Sequence, residues 1–317
     1  MNTFLVTGGA GFIGSHLCDT LLSKNLKVIC LDSFDDYYDP RIKRNNIESA
    51  LTNQNFTLFE GDIRDKKLLE NIFSKFKIDL VFHLAARAGV RPSIQYPELY
   101  FDVNVNGTIT LLEAMRKFNI SNLIFASSSS VYGNSDKIPF SEEDIIDKPI
   151  SPYAASKRAC ELICYTYHFL YSFNIFCLRF FTVFGPRQRP EMAISKFVNA
   201  IRHNEIVELY GDGTTSRDYT FVKDIINGIC RVLNHLNGFE IFNLGSGRAI
   251  TLIEMVETIQ EVLNKKAIIK WKEFQPGDVK KTIANIEKAK KYLNYYPAFS
   301  FKEGIKEFVD WSIKNNS

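Results

Sequence analysis

The stretch TGGAGFIG, residues 7–14, decides the fold that we expect for this chain. It follows an apolar run at 4–6 and leads into an amphipathic segment at Ser15, so its glycines lie on a predicted strand-to-helix turn. Glycine in such a turn adopts positive φ angles and lets a pyrophosphate approach the backbone, while the helix start supplies amide donors. We therefore predict a dinucleotide site, with a tight turn that binds nothing as the alternative. The residues expected to contact the dinucleotide here are Gly8, Gly11, Phe12, Ile13 and Gly14.

The first half of the chain alternates short apolar runs with longer amphipathic segments. The predicted strands are Phe4–Thr7, Val28–Asp32, Phe56–Glu60, Leu80–Leu84, Leu123–Ala126 and Ile175–Phe180. Strands separated by helices imply crossover connections and therefore a parallel sheet. We expect an α/β fold, a Rossmann-type doubly wound parallel sheet with helices on both faces.

The pattern becomes less regular after residue 180, where turn-forming stretches interrupt shorter predicted helices. These helices are expected near 191–203, 223–236 and 251–263. We therefore predict a dinucleotide-binding Rossmann domain at 1–180 and a smaller mixed α/β C-terminal substrate lobe at 181–317. The segment 221–244 is expected to rejoin the first domain, because it combines a helix with a strand at 240–243.

Composition narrows the class of protein. The chain has 317 residues, 45% of them hydrophobic, and a net charge of +3 without a basic block, so we expect neither nucleic acid nor membrane as a partner. It begins with a predicted strand and has no run of about 18 apolar residues, which favours a cytoplasmic protein. The six cysteines show no CxxC pair and no metal-ligand spacing, so we expect buried thiols and no metal site.

Three further segments extend the predicted dinucleotide site. Asp32 ends the second strand, near the offset of ~20 residues at which an acid binds the adenosine ribose, and its charge favours NAD over NADP. Asp62 follows the third strand, where it either reaches the adenine or caps the helix predicted at 65–76. Small residues follow His83, which we interpret as a packing histidine. The remaining cofactor contacts predicted here are Ile63, Leu84, Ala85 and Ala86.

YAASK, residues 153–157, begins a long predicted helix that Ser151 caps and Pro152 opens. Residues four apart share a helix face, so the Lys157 ammonium is expected beside the Tyr153 phenol. A phenol is a poor base at neutral pH, but an adjacent cation favours the phenolate. We predict Tyr153 as the catalytic base and Lys157 as its partner, which also holds the nicotinamide ribose. An accidental helical pair is the alternative.

Four serines, residues 127–130, follow the strand predicted to end at Ala126. The carboxyl ends of parallel strands face the crevice where cofactor and substrate meet, so these hydroxyls are expected beside the Tyr153 helix. We predict that Ser128 hydrogen-bonds the reacting oxygen. Ser129 and Ser130 are predicted to shape the substrate site.

Together, TGGAGFIG, HLAA (83–86), NVNGT (104–108), SSSVYG (128–133), YAASK and YGDGTTSRDYTFVKD (210–224) resemble the extended short-chain dehydrogenase/reductase family of nucleotide-sugar enzymes. The resemblance covers nearly the whole chain. It implies a tightly bound NAD, a UDP-sugar substrate held by the second lobe, and a homodimer formed by the helices after residues 104 and 153. Ordinary core packing of those helices is the alternative.

The residues after Ser128 bear on the reaction. Family members that eliminate water carry an Asp-Glu pair at this place, and UDP-glucuronate decarboxylases carry a glutamate, whereas this chain has Ser129-Ser130. The resemblance therefore implies epimerisation at C4. The implied mechanism moves a hydride from C4 to NAD while Tyr153 takes the hydroxyl proton, turns the 4-keto sugar, and returns the hydride to its other face.

Four stretches most resemble UDP-glucuronate 4-epimerases and imply conversion of UDP-glucuronate to UDP-galacturonate. They are DDYYDPRIKRNN (35–46), AARAGVRPS (85–93), FFTVFGPRQRPEMAI (180–194) and QPGDVKKT (275–282). Arg189, with Thr182 on the same loop, is the implied ligand of the C6 carboxylate, because guanidinium binds carboxylate strongly and directionally. Arg91 is the second candidate.

The same resemblance assigns the nucleotide. Arg217 is implied to bind the diphosphate, which suits a bidentate guanidinium, and Asp278 the uridine ribose. Gln275 stands where UDP-glucose 4-epimerases commonly carry another phosphate-binding arginine, and Asn285 stands where relatives often have aspartate.

Three other interpretations stay open at this point. A neutral UDP-hexose 4-epimerase acting on glucose, galactose or their N-acetyl derivatives needs the same catalytic residues, and in it the arginine-rich loop is a surface loop or a diphosphate-binding loop. A non-catalytic NAD-binding sensor needs no Tyr153–Lys157 pair. An RNA-binding member of the fold is expected to carry a basic aromatic stripe, which the sequence lacks.

Overall fold

The computed structural model describes residues 2–273 and 279–315. Its central sheet contains β1 (Thr3–Thr7), β2 (Lys27–Asp32), β3 (Phe56–Glu60), β4 (Leu80–His83), β5 (Asn122–Ser128), β6 (Asn174–Phe180) and β11 (Phe239–Leu244). These strands are all parallel and follow the order β11-β6-β5-β4-β1-β2-β3. The chain thus winds outward in both directions from the centre of the sheet, which confirms the predicted doubly wound fold.

Helices cover both faces of this sheet. Those within the first 232 residues that pack on or beside it are α1 (Phe12–Ser23), α2 (Pro40–Asn46), α3 (Glu48–Leu51), α4 (Lys66–Lys75), α5 (Val90–Gln95), α6 (Pro97–Phe101), α7 (Gly107–Lys117), α8 (Pro152–Tyr171) and α10 (Val222–Val232). Alternate residues of each strand point to opposite faces. Accordingly, Phe4 and Val6 pack in the apolar cluster of α1 and α10, whereas Leu5 packs in that of α4, α7 and α8.

The remaining elements form a smaller mixed α/β region. They are β7 (Thr182–Phe184), α9 (Ala193–Arg202), β8 (Ile206–Tyr210), β9 (Ser216–Arg217), β10 (Tyr219–Phe221), β12 (Ile250–Thr251), α11 (Leu252–Leu263), β13 (Ile268–Lys272), α12 (Glu287–Leu293) and α13 (Phe301–Asn315). Among the described residues of this region, β7 pairs with β10, β8 with β13, and β9 with β12. The helices α9, α11 and α13 pack together beside them.

Two strands of the central sheet differ from, or extend, the sequence predictions. The strand predicted to end at Ala126 continues to Ser128, because its pairing with β6 extends to Ser128 opposite Phe180. The segment after Phe221 does place a strand, β11, beside β6 at the edge of the sheet. The division of the chain at residue 180 into a dinucleotide domain and a substrate lobe stays a prediction.

The glycine turn owes its composition to close packing. Gly8 has φ +69°, and a Cβ atom added there would lie only 2.7 Å from the Ala85 amide nitrogen, on the loop after β4. A Cβ atom added to Gly14, in the first turn of α1, would lie 2.2 Å from the Gly8 carbonyl oxygen. Both positions therefore exclude any side chain, because the contacted atoms belong to backbone that cannot move aside.

A π-helical turn, residues Asp102–Asn106, joins α6 to α7. Its Asn104 is buried and bridges two neighbouring segments. The Oδ1 atom accepts a 2.8 Å hydrogen bond from the Arg87 amide, and Nδ2 donates to the Arg87 carbonyl oxygen at 3.1 Å and to Ser156 Oγ at 2.9 Å. This turn thereby ties the loop after β4 to α8.

His83 at the end of β4 is a packing residue, as its sequence context indicated. Its Nδ1 lies 2.8 Å from Thr7 Oγ1, which accepts a hydrogen bond from the Ala85 amide, and its Nε2 lies 3.0 Å from Thr108 Oγ1, which donates to the Asn104 carbonyl oxygen. These partners assign the proton of the neutral ring to Nε2. Burial, with a smaller contribution from the Lys157 charge, lowers the pKa of His83 to about 3.

We expect this histidine to make stability depend on pH. A histidine in an unfolded chain has a pKa of about 6.5. Between that pH and about 3, His83 is therefore protonated in the unfolded chain but neutral in the folded chain, so falling pH favours unfolding. The free energy of unfolding should drop by about 2 kcal/mol between pH 6.5 and pH 5 through this one group. Urea unfolding at several pH values checks this, because His83→Gln should remove that part of the slope.

The exposed His203 provides the control, since His203→Gln should leave the slope unchanged. Equal slopes for wild type and His83→Gln would show that the ring is protonated in the folded chain.

The six cysteines are free, and all are buried except the half-buried Cys230. Partial burial raises the pKa of the Cys230 thiol. Within residues 2–273 and 279–315, none of the helices has both the length and the apolar composition that a bilayer crossing requires.

Candidate active site

A cavity of about 410 Å³ opens at the carboxyl end of the central sheet. It is lined by every residue predicted for the cofactor and the catalytic group, namely Gly8, Gly11, Phe12, Ile13, Gly14, Asp32, Asp62, Ile63, Leu84, Ala85, Ala86, Ser128, Tyr153 and Lys157. The predicted substrate residues Ser129, Ser130, Thr182 and Arg189 line it too. The parallel strands bring these groups together because all their carboxyl ends meet at one edge.

The glycine turn presents the start of α1 to this cavity. Gly11 is the N-cap residue, and no side chain caps the helix. Its amide donates to the Gly8 carbonyl oxygen at 3.1 Å, and its own carbonyl oxygen accepts from the Ser15 amide at 3.0 Å. The amides between these two bonds lie at the positive end of the helix dipole, where an anionic pyrophosphate is favoured.

Asp32 lies at the far end of the same cavity, almost fully buried. Its carboxylate accepts hydrogen bonds from the Ala10 amide at 3.1 Å and the Phe34 amide at 2.9 Å, and Lys43 Nζ lies 3.6 Å from it. A carboxylate has about four acceptor positions, so the two amide bonds leave room for ribose hydroxyls. With the helix start, this acid makes a site that fits a dinucleotide without a 2′-phosphate.

Asp62 does not cap a helix, so that interpretation of the sequence is wrong. The helix begins at Lys66, and its N-cap is Asp65, whose side chain accepts from the Leu68 amide at 3.1 Å. Asp62 instead pairs with Arg64 at 2.6 Å, and hydrogen bonds from Arg64 are the main cause that lowers the pKa of its carboxyl. The N-cap residue lies three positions after Asp62 because residues 62–65 first form a turn. In that turn the Asp65 amide donates a hydrogen bond to the Asp62 carbonyl oxygen.

The predicted catalytic pair, Tyr153 and Lys157, lies at the start of α8. As predicted, Pro152 opens this helix and Ser151 caps it, accepting a 3.1 Å hydrogen bond from the Ala154 amide. Lys157 is 3% exposed, and its Nζ donates to the Ala126 carbonyl oxygen at 2.7 Å. The Tyr153 ring packs edge-on against Tyr100, with centroids 6.2 Å apart. Phenol and ammonium thus reach the cavity from the same helix.

The four serines divide into different roles in the structure. Ser127 donates from Oγ to Glu161 Oε1 at 2.6 Å, so its hydroxyl is committed to α8. Ser128 donates from Oγ to Ser130 Oγ at 3.1 Å and accepts from the Ser130 amide at 3.2 Å. Ser129 and Ser130 open a short 3₁₀ helix, Ser129–Tyr132. All four serines line the cavity, and the Ser127 hydroxyl in addition ties the strand end to α8.

Behind these serines lies a buried ion pair that sequence reasoning missed. Arg179 on β6 and Glu161 on α8 are each 1% exposed and form two parallel hydrogen bonds of 2.8 and 2.9 Å. Burial alone raises the pKa of the Glu161 carboxyl, but Arg179 outweighs burial and holds that pKa below its ordinary value. Arg179 also donates to the Tyr132 hydroxyl at 2.9 Å, which donates to Asn243 Oδ1 at 2.7 Å.

Arg189 and Thr182 line the same cavity from the segment between β6 and α9. Arg189 Nη1 is 3.1 Å from Glu191 Oε1, although neither atom is aligned for a hydrogen bond. The guanidinium lies over the Tyr37 ring, 5.6 Å from its centroid, and Arg87 lies 5.4 Å from the same centroid. Tyr37 belongs to DDYYDPRIKRNN (35–46), a stretch whose sequence predicted no contact with the site.

A second, larger cavity of about 1290 Å³ adjoins the first across the loop 185–191. It receives Arg217, which donates from Nη1 to the Ser216 carbonyl oxygen at 3.0 Å, and Arg91, which lies over the Tyr210 ring at 5.7 Å. The structure therefore separates these two arginines from Arg189. The predicted Asp278 and the neighbouring Gln275 lie outside the described residues.

Asn285 has a structural explanation. Its Oδ1 accepts from the Glu287 amide at 3.0 Å, which supports the first turn of α12, and its own amide donates to the Phe140 carbonyl oxygen at 2.9 Å. An aspartate accepts the same bond, so the substitution is neutral for this contact.

Phenol, ammonium and strand-end hydroxyls share one cavity with the glycine turn, and this combination defines an extended short-chain dehydrogenase/reductase. The comparison with known families agrees with the geometry and confirms the resemblance seen in the sequence. Residues 5–308 match GDP-mannose 4,6 dehydratase, and the chain belongs to this family.

Individual relatives are similar over their full length. The chain is 42% identical over 316 residues to a UDP-glucuronate 4-epimerase of Thermodesulfobacterium geofontis, with 99% of this chain and 97% of the relative covered. The solved UDP-glucuronic acid 4-epimerase of Bacillus cereus, in complex with UDP-glucuronic acid and NAD, has a TM-score of 0.93 and 34% identity over 98% of this chain and 99% of its own. A UDP-glucose 4-epimerase of Thermotoga maritima with UDP-glucose has a TM-score of 0.91 and 32% identity over 99% and 100%.

Proposed function

We propose that this protein is an NAD-dependent UDP-sugar 4-epimerase, an isomerase that converts UDP-glucuronate to UDP-galacturonate through a 4-keto intermediate. The observation that carries the proposal is the position of Arg189 in the same cavity as Tyr153 and the serines. A guanidinium there provides the fixed donors that a C6 carboxylate requires. Similarity to UDP-glucuronate 4-epimerases supports the same conclusion.

The cofactor proposed is a tightly held NAD, consistent with the NAD complexes of related enzymes. The uncapped start of α1 would bind its pyrophosphate, and the Asp32 carboxylate its adenosine ribose. Bound NAD supplies reversible hydride acceptance, with no net redox change over a full epimerisation. Asp62 and Ile63 after β3 and Leu84, Ala85 and Ala86 after β4 line the same cavity and would supply its other contacts.

The chain's own residues move the proton. Tyr153 takes the proton of the sugar 4-hydroxyl and returns it after the sugar has turned. Lys157 places a positive charge one helical turn from Tyr153; its ammonium is buried and fixed by the Ala126 carbonyl oxygen. Ser128 is the hydroxyl proposed to hydrogen-bond the reacting oxygen, since it lies at the strand end that lines the cavity.

The acids available to the site argue against dehydration. Among the described residues that line the smaller cavity, the acidic ones are Asp32, Asp35 and Asp62. Asp32 accepts two backbone amides, Asp35 pairs with Arg87, and Asp62 pairs with Arg64. All three belong to the cofactor side, so none stands where elimination of water needs a proton donor beside Ser128.

The sugar nucleotide would span both cavities. Arg189 and Thr182 hold the carboxylate end, with Ser129 and Ser130 shaping the opposite wall. Arg217 and Arg91 line the larger cavity, where their charges suit the diphosphate. The role assigned to Asp278, a contact with the uridine ribose, falls outside the described residues and stays a prediction.

A second candidate function is 4-epimerisation of a neutral UDP-hexose or its N-acetyl derivative. Glu191 favours this function, because its carboxylate lies 3.1 Å from Arg189. It therefore offsets the positive charge of Arg189, which a neutral sugar would not pair. The likeness to UDP-glucose 4-epimerase supports it as well.

The deciding assay needs no added NAD. Purified protein is incubated separately with UDP-glucuronate, UDP-glucose and UDP-N-acetylglucosamine, and the anomeric protons are followed by NMR. Conversion of UDP-glucuronate alone to its galacto epimer establishes the uronate specificity. Turnover of neutral sugars alone rejects it and leaves the epimerase mechanism standing.

We further propose a homodimer formed through α8 and its neighbour α7. One face of α8 carries exposed apolar side chains at helical spacing, Leu162, Phe169 and Leu170, and Phe169 is 74% exposed. A stripe of this kind on two copies of the chain makes a self-complementary interface. A cytoplasmic location is proposed with it, since a reducing compartment suits the free thiols.

Phe169→Asp should convert the dimer to a monomer, because it places a charge in the centre of the apolar stripe. Light scattering coupled to gel filtration measures this directly. Ile145→Asp is the matched control, since Ile145 is 90% exposed and belongs to a loop outside α8. A wild-type chain that elutes with the mass of one copy would reject the dimer.

A further inference from the structure

Two neighbouring residues at the end of β5 are joined to two residues one turn apart on α8. The Ala126 carbonyl oxygen accepts from Lys157 Nζ at 2.7 Å, and Ser127 donates from Oγ to Glu161 Oε1 at 2.6 Å. Lys157 and Glu161 are four residues apart and lie on the same side of the helix. We call these two bonds the strand clamp. They fix the position of the end of β5 along the axis of α8.

The acceptor in the second bond is itself immobile. Glu161 receives two hydrogen bonds from Arg179 and one of 3.0 Å from Arg158 Nη1, in addition to that from Ser127. Its carboxylate is buried, so it exchanges none of these partners for water. Charge-assisted bidentate pairing of this kind has a defined geometry. The Ser127 hydroxyl is therefore bound to a point fixed by two other elements, β6 and α8.

The clamp has a direct geometric relation to the reacting groups. Tyr153 precedes Lys157 by four residues and Glu161 by eight, so all three recur along one side of α8. Ser128 follows Ser127 on β5, and successive strand residues point to opposite faces. Anchoring Ser127 to Glu161 leaves the Ser128 side chain on the other face of the strand, and Ser128 lines the cavity that Tyr153 also lines.

From this arrangement we propose that Ser127 and Glu161 are positioning residues, which hold Ser128 at the level of the Tyr153 phenol for proton transfer. The inference rests on the proposed epimerase function, because the reacting oxygen is that of the sugar. Neither residue is proposed to exchange a proton. A displacement of about 1 Å between reacting groups can cost up to about a hundredfold in rate, so a clamp of two bonds has a measurable effect.

The test is Ser127→Ala, which removes one bond of the clamp and keeps the Glu161–Arg179 pair. We expect kcat to fall about tenfold, with the KM of the UDP-sugar and the amount of bound NAD within about twofold of wild type. This split distinguishes positioning from a general loss of folded protein, which lowers the active fraction and the melting temperature together. Ser127→Thr, which retains the hydroxyl, should restore kcat.

Tyr132→Phe is the matched control. It removes the bond of Arg179 to the Tyr132 hydroxyl, at the end of the network away from α8, and leaves the clamp intact. Its expected effect is a lower melting temperature with kcat within about twofold of wild type. Wild-type kcat in Ser127→Ala, or an equal fall in Tyr132→Phe, overturns the proposal.

A second measurement is independent of turnover. Amide hydrogen exchange of residues 126–130 should be faster in Ser127→Ala and unchanged in Tyr132→Phe. Unchanged exchange in Ser127→Ala overturns the clamp even when no sugar reacts. A wild-type protein that converts no UDP-sugar overturns the proposed function instead, so the two failures are distinguished.

Discussion

Tyr153→Phe is expected to lower the kcat of epimerisation roughly a thousandfold, within the range by which a positioned general base accelerates proton transfer. The variant loses only the phenolic oxygen and keeps the ring that packs edge-on against Tyr100. The glycine turn and Asp32 are untouched, so bound NAD should remain at the wild-type amount. NMR of the anomeric protons measures the rate, and absorbance of the denatured protein measures the NAD.

Tyr100→Phe provides the control for this experiment. Tyr100 contacts the same ring, but its hydroxyl donates to the Ala88 carbonyl oxygen at 2.7 Å and is buried, so kcat should fall less than about tenfold. Retention of more than a tenth of the wild-type rate in Tyr153→Phe would remove this residue as the base. A parallel loss of NAD would show that the phenol serves cofactor binding.

Arg189→Ala should separate acidic from neutral sugars. The variant removes the proposed partner of the substrate's C6 carboxylate. Removing one partner of a charge pair that is buried on binding costs on the order of 2–5 kcal/mol, so kcat/KM for UDP-glucuronate should fall about a hundredfold or more. A neutral UDP-hexose offers no carboxylate, and its kcat/KM should change by less than about threefold. The ratio of the two values, measured on the same preparation, is the decisive quantity.

Arg187→Ala is the matched control on the same loop. Arg187 pairs with Asp19 at 2.7 Å and lines the larger cavity, so its loss should affect both sugars alike. Because Arg189→Ala leaves Glu191 without its partner, the double variant with Glu191→Ala tests whether an unpaired acid causes the effect. Equal losses for acidic and neutral sugars in both variants would reject carboxylate recognition by Arg189.

The sequence predicted the central sheet well because each strand and helix there has a local signal. Apolar runs, the glycine turn and the Ser151–Pro152 start of α8 depend on neighbours within a few residues. The end of β5 was placed two residues early, since serine has little preference for strands. Pairing with β6 overrides that local preference up to Ser128.

The site was predictable where a motif fixes its own geometry, as with Tyr153 and Lys157 four residues apart on one helix. Pairing between distant segments was not. Glu161 and Arg179 have no spacing that indicates a shared ion pair, and their contact arises only when α8 packs on β6. Tyr37 was missed because loop 33–39 has no periodic pattern, although its ring contacts two arginines of the cavity.

The π-helical turn at Asp102–Asn106 has a consequence for how this segment tolerates insertions and deletions. A π turn holds one residue more than an α turn, and each residue of an α-helix advances about 100° around the axis. Deleting a single residue there would merge α6 and α7 into one regular helix and rotate Asn104 away from the Arg87 backbone that it binds through both side-chain atoms. Chain length, more than side-chain identity, is therefore the quantity that this stretch must preserve.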